Sequence, residues 1–169
     1  TKENAFVVPL NQAQYRVIKG LFMTITEFTD NLFYDVSSWT MPLAFNIPYA
    51  ELSTLPNLGE TVTESIFPKG KVIGGQSEYA YLFRWNGYYS PRALNEILDK
   101  GLIAKVANTP FTIETANGNE AFDVGTIMIP VARQSLDSDA LLGFLKGVSE
   151  RNMVNIHSIK TGLSTQGVT

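Results

Sequence analysis

The chain has 169 residues, no cysteine, one histidine and a formal net charge of −3, and 44% of its residues are hydrophobic. This size is enough for one domain with its own core, and the lack of cysteine excludes disulfides, thiolate nucleophiles and cysteine-based zinc sites. The negative charge, with no basic run, argues against nucleic acid as a partner, and no stretch of about 20 apolar residues predicts a membrane span.

The N-terminal region predicts a strand followed by a helix. Residues 5–9 form a continuous apolar run of the kind found in buried strands. A helix is expected from about Gln12, because Tyr15, Ile18 and Phe22 recur at helical spacing on one face, with Ile25 continuing the stripe.

A second strand is predicted at residues 32–36, followed by a short helix. Thr40 is a suitable N-cap for that helix, and Pro42 lies in its first turn, where a missing N–H costs nothing. Residues 48–70 show no period and are punctuated by proline and glycine, so we expect a long surface excursion there.

The remainder of the chain predicts further strands and two helices. One helix begins at Ser90-Pro91 and ends before a left-handed Gly101, and the other begins near Asp137 and ends near Asn152. Asn117-Gly118 signals a hairpin. The predicted strands are residues 71–74, 78–85, 102–107, 111–114, 121–131 and 154–159.

Both sides of the strand at residues 78–85 are largely apolar, which is typical of a strand covered by helices on both faces. Strands alternate with helices along the chain. The pattern therefore predicts one α/β domain over residues 1–169, a three-layer αβα sandwich with a mostly parallel sheet and a late hairpin.

The sequence offers little catalytic chemistry. His157 is the only histidine and lies in the last predicted strand, without the His-x-x-Glu or His-Glu-x-x-His spacing of a zinc site, so we interpret it as structural. Ser77 stands in Gly-Gln-Ser-Glu-Tyr, which departs from the Gly-x-Ser-x-Gly elbow and precedes a strand instead of a helix. A polar turn at Ser77 is favoured over a Ser77–His157 hydrolase.

Two segments are candidate ligand or interface sites. Asp35, Ser37, Ser38 and Trp39 follow a predicted strand and precede a helix, the place where ligands dock in open α/β sheets. The alternative is that Asp35 and the serines cap local backbone while Trp39 packs beneath the loop.

The other candidate follows the strand at residues 78–85. Arg84, Trp85, Tyr88 and Tyr89 belong to the residue types enriched at interface hot spots. Carbohydrate stacking is a rival interpretation, although one strand supplies too little to specify a sugar.

Four sequence stretches resemble the C-terminal region of large bacterial zinc carboxypeptidases of the carboxypeptidase A-like family. They are YDVSSWTMPLAF at residues 34–45, ANTPF at 107–111, FDVGTIMIPV at 122–131 and TGLSTQG at 161–167. The resemblance spans nearly the whole chain.

In that family, an N-terminal peptidase domain binds zinc and removes C-terminal residues from peptides. The domain after it resembles class I glutamine amidotransferases, and the resemblance therefore implies a flavodoxin-like sandwich for this chain. The zinc ligands belong to the peptidase domain, and the amidotransferase Cys–His–Glu triad has no counterpart here because cysteine is absent. No catalytic residue or cofactor is carried over.

The resemblance implies a non-catalytic accessory domain excised from a larger hydrolase, with the covalently linked peptidase domain as its partner and peptide as a further ligand. It also implies a periplasmic or secreted location. The alternative is a stand-alone small-molecule or peptide binding module of flavodoxin-like fold that uses the edge at residues 35–39.

Overall fold

The computed structural model describes residues 5–24, 41–45, 47–65 and 67–167. The chain divides into two compact units, Thr1–Ser65 and Ile66–Thr169. Each unit is described separately below.

The described part of the first unit holds two helices and irregular chain. Helix α1 spans Tyr15–Phe22 and helix α2 spans Met41–Ala44. Both were predicted, and residues 47–65 are irregular as expected. The predicted strand at residues 5–9 is wrong: the segment is irregular and largely exposed, because no neighbouring strand supplies hydrogen bonds to an apolar run this short. The predicted strand at residues 32–36 lies outside the described residues.

The second unit contains a five-stranded mixed sheet and a separate two-stranded sheet, and its two helices lie along the chain between strands. The strands are β1 (Val72–Ile73), β2 (Ala80–Phe83), β3 (Lys105–Val106), β4 (Phe111–Thr115), β5 (Gly118–Phe122), β6 (Ile127–Pro130) and β7 (Ile156–Ile159). The helices are α3 (Ser90–Asp99) and α4 (Ser138–Asn152).

The five-stranded sheet has the order β1-β7-β2-β6-β3. Only β1 and β7 run parallel; β2 is antiparallel to both β6 and β7, and β3 is antiparallel to β6. Strands β4 and β5 form the separate antiparallel hairpin.

The predicted mostly parallel, flavodoxin-like three-layer sandwich is therefore wrong. Strand β2 is indeed buried along its whole length. Tyr81 and Phe83 pack with Ile97 of α3 and Leu145 of α4. The opposite face packs against Phe122 and the other apolar residues of the β4–β5 hairpin, so a hairpin occupies the place predicted for a second helical layer.

Local signals at the helix ends account for α3 and α4. Asp137 is the N-cap of α4, and its side chain accepts a hydrogen bond from the Ala140 N–H at 2.8 Å. Gly101 adopts a φ of 76° just after α3, as predicted. Ser90 is the first residue of α3 instead of its N-cap, and its hydroxyl donates to the Arg84 carbonyl at 2.9 Å.

The predicted strand at residues 121–131 is two strands. It is broken between β5 and β6 at Gly125, which has a φ of 87°. The Thr126 hydroxyl donates to the Asp123 carbonyl at 2.7 Å and closes this turn. The break redirects the chain from the hairpin into the five-stranded sheet.

Candidate functional site

The sequence candidates fall into two groups in the structure. Asp35, Ser37, Ser38 and Trp39 lie outside the described residues. Arg84, Trp85, Tyr88 and Tyr89 occupy the connection between β2 and α3, which the structure describes in full.

Arg84 is held by the hairpin. Its guanidinium donates to the Ala121 carbonyl at 2.9 Å and to Glu120 Oε2 at 3.1 Å. The same group lies 4.2 Å from the centre of the Phe122 ring, within cation–π range. Arg84 therefore joins the end of β2 to β5 by three contacts and is committed to intramolecular binding.

The three aromatic candidates are more accessible than Arg84. Trp85 is 42% exposed and Tyr88 is 69% exposed. Tyr88 and Tyr89 make an edge-to-face pair with ring centres 4.8 Å apart, and the Arg92 guanidinium lies 4.3 Å from the Tyr89 ring. These contacts fix the Tyr89 ring and leave Trp85 and Tyr88 as the accessible aromatic surface.

A shallow depression lies beside this aromatic surface. It is lined by Arg84, Trp85, Asn86, Asp123, Val124 and Thr126. Trp85 packs directly over the backbone of Gly125, where an added Cβ would lie 3.3 Å from the Trp85 Cβ. The arrangement supplies one indole face, one amide and one carboxylate, which suits a side chain or the end of a peptide better than an enclosed small molecule.

A buried polar cluster connects the hairpin to the five-stranded sheet. Glu120 Oε1 accepts hydrogen bonds from Thr115 Oγ1 and Asn117 Nδ2, both at 2.9 Å. The same oxygen lies 3.4 Å from Nδ1 of His157, while Oε2 pairs with Arg84. Glu120 is thus the centre of the cluster.

The two titratable groups of this cluster shift in the same direction. Burial raises the pKa of Glu120, but hydrogen bonds from Asn117 and Thr115, with the charges of His157 and Arg84, outweigh burial and leave the pKa lowered. Burial lowers the pKa of His157; the Glu120 charge opposes this effect and the Arg84 charge adds to it, so the net pKa is lowered. Glu120 is therefore charged and His157 neutral at neutral pH.

Sequence reasoning did not single out Glu120. The available signal was the alternation in β5, which places Glu120 and Phe122 on the same side of the strand. Because Phe122 is fully buried, a carboxylate two residues earlier is directed towards the same layer. A prediction of two short strands in place of one long strand would have exposed this pattern.

Ser77 has the structural role that the turn interpretation gave it. Its hydroxyl donates to the Ile159 carbonyl at 2.6 Å and accepts the N–H groups of Tyr79 and Ala80, each at 3.0 Å. The serine is 1% exposed. Its proton is thus committed to a backbone carbonyl instead of the base that a nucleophile requires.

The described ranges contain no group of three or more carboxylate, imidazole or thiol side chains placed to hold a metal ion. Within the same ranges, no helix is both long enough and apolar enough to cross a membrane. Comparisons of the chain with models of protein families, with curated proteins and with solved structures gave no match.

Proposed function

We propose that the chain is a non-catalytic accessory segment of a zinc metallocarboxypeptidase and that its first unit binds the covalently linked peptidase domain. The proposal combines the resemblance at residues 34–45, 107–111, 122–131 and 161–167 with the exposed apolar side chains of the first unit. Zinc belongs to the peptidase domain in this proposal.

The observation that carries the proposal is that the first unit lacks an apolar core among its described residues. Pro42 is the only buried residue in those ranges. The large apolar side chains other than Ile18 and Met41 are all exposed, from 36% at Leu21 to 68% at Phe6.

Single exposed apolar residues are ordinary, but a folded unit normally buries such side chains against another element. Here α1 contributes no buried residue, although it is amphipathic. The contacts that the unit does make are local, such as the edge-to-face pair of Phe22 and Tyr49 and the 2.8 Å hydrogen bond between the Thr24 and Tyr49 hydroxyls. Apolar surface of this extent indicates a binding partner.

The first experiment separates an accessory role from catalysis. The purified chain is analysed for bound zinc and assayed for release of C-terminal residues from peptides. We expect no stoichiometric zinc and no turnover. Stoichiometric zinc together with activity would overturn the proposal.

The second experiment tests the partner. The chain is titrated into the zinc peptidase domain encoded by the same gene, and binding is measured by calorimetry. Replacing Leu52 and Leu55, which are 59% and 63% exposed, by aspartate should weaken binding by at least about tenfold, because burial of one leucine contributes about 1.5–3 kcal/mol.

Leu163→Asp is the matched control, since Leu163 is 71% exposed but belongs to the second unit. It should change the affinity less than about twofold. A gene product without a peptidase domain, or equal losses of affinity in the first-unit variant and the control, would contradict the proposal.

A peptide-binding role is the second candidate, and the exposed rings of Trp85 and Tyr88 beside the depression favour it. Peptides with a free C-terminus, titrated while tryptophan fluorescence is recorded, test this role. Saturable quenching that is lost in Trp85→Ala would support it, and an unchanged spectrum at millimolar peptide would exclude it.

A further inference from the structure

His157 combines deep burial with an incomplete set of hydrogen bonds. It lies in β7, and it is the only histidine of the chain. Its side chain is 9% exposed, and its Nδ1 atom has no hydrogen-bond partner although Glu120 Oε1 is 3.4 Å away. Buried polar atoms are normally paired, so an orphaned ring nitrogen in an interface between layers calls for an explanation.

The imidazole lies in the interface between the five-stranded sheet and the hairpin. Ile156 belongs to the core on the helical side, whereas Ile159 belongs to the core beneath the hairpin. Because side chains alternate along a strand, His157 shares the hairpin side with Ile159. The ring meets Phe122 of the hairpin edge-on, with ring centres 5.7 Å apart.

Two charged groups act on this ring. Arg84 approaches from the end of β2, and Glu120 approaches from β5. The neighbouring β1 consists of Val72 and Ile73, neither of which titrates. In β4 the one titratable residue is Glu114, which is exposed and alternates with the buried Ile113.

We propose that His157 is a proton-sensitive latch: uptake of a proton by its ring loosens the β4–β5 hairpin from the five-stranded sheet. A second positive charge beside Arg84 would compete for Glu120, which is the carboxylate that holds Arg84 on the hairpin. The layer has little water to solvate the added charge, so the cost of protonation falls on the hairpin contacts.

The direction of the effect follows from proton linkage. The pKa of His157 is lowered from 6.5 by burial and by Arg84, in spite of Glu120, so the opened hairpin binds the proton more tightly than the closed one. Closure is therefore favoured above pH 6.5 and is weakened as the pH falls towards the lower, folded-state pKa.

The test is an NMR titration of the full chain between pH 7.5 and 5.5. The single histidine gives one imidazole signal, and amide hydrogen exchange is followed in parallel. We expect a His157 midpoint below 6.5 and a selective fall in protection of the β4 and β5 amides relative to those of α4. That fall reaches about tenfold for each unit by which the folded pKa is lowered.

Two variants sharpen the test. His157→Phe keeps an aromatic ring against Phe122 but cannot titrate, so hairpin protection should become independent of pH in this range. Glu120→Gln removes the charge that favours the imidazolium, so the His157 midpoint should fall further. If either variant does not fold, the native titration still decides.

A midpoint at or above 6.5 would overturn the latch. Equal loss of protection in the hairpin and in α4 would overturn it as well, because the proton would then act on the whole unit. The latch does not depend on the proposed function, since its readouts are a pKa and a local opening instead of partner binding or peptidase activity.

Discussion

Removal of the Phe122 ring should separate the stability of the hairpin from that of the helical side of the unit. Phe122 is fully buried and stacks on Phe111 with ring centres 5.4 Å apart. It also carries the Arg84 guanidinium on one side and meets the edge of His157. The Phe122→Ala substitution removes all three contacts in one step.

The expected loss is about 4 kcal/mol in the free energy of unfolding, within the range of about 3–5 kcal/mol for a buried phenylalanine replaced by alanine. The aromatic and cation–π contacts place the value in the upper part of that range, and they are not added separately because they share the same ring. Urea unfolding followed by circular dichroism measures this loss.

Hydrogen exchange shows where the loss falls. Protection in β4 and β5 should drop more than in α4, because Phe122 belongs to the cluster of Ala80, Leu82 and Ile113 and not to the cluster beneath the helices. The control is Val124→Ala, a nearby position that is 60% exposed. A loss below about 1 kcal/mol, or one equal to that of the control, would refute the assignment of Phe122 as the centre of the hairpin core.

Three further predictions concern stability and are checked by urea unfolding. Asp137→Ala should cost about 1 kcal/mol by removing the α4 cap, whereas Asp137→Asn should cost much less. Gly143→Ala should stabilise α4 by about 0.5–1 kcal/mol because the added Cβ meets no atom within 4 Å, whereas Gly70→Ala should destabilise the protein because its Cβ would overlap the Ser149 carbonyl. The Glu120 carboxylate contributes stability that is complete above its unfolded pKa of 4.5 and is lost as the pH falls through its lower folded pKa, so Glu120→Gln should flatten the acid limb of the stability curve.

The helices could be predicted because their signals are local. Asp137 states the start of α4 and Gly101 the end of α3, and both act through hydrogen bonds or backbone angles within a few residues. The hairpin signal was equally local. Ala116 and Asn117 form the turn, and Gly118 takes the left-handed φ of 97°.

Strand direction could not be predicted because it depends on distant partners. The alternation of strands and helices suggested parallel pairing, yet β2 pairs antiparallel with β7, whose Ile159 faces Ala80 across the ladder. Strands β1 and β3 are two residues each, too short to carry a period that would reveal which faces are covered. The apolar face of the hairpin looked equally compatible with an edge of the main sheet.

The corrected topology changes which site hypothesis keeps a physical basis. The Asp35–Trp39 prediction depended on the rule that ligands bind at the carboxyl ends of parallel strands, and the one parallel pair here is β1 with β7, in the unit that does not contain those residues. The aromatic candidates need no such rule. Trp85 and Tyr88 follow β2 directly, and their exposure arises because Arg84 turns inward to the hairpin while Ser90 ties the start of α3 back to the Arg84 carbonyl. The contacts that hold the hairpin thus also present these two rings, so opening of the hairpin and binding at Trp85 are expected to be coupled through Arg84.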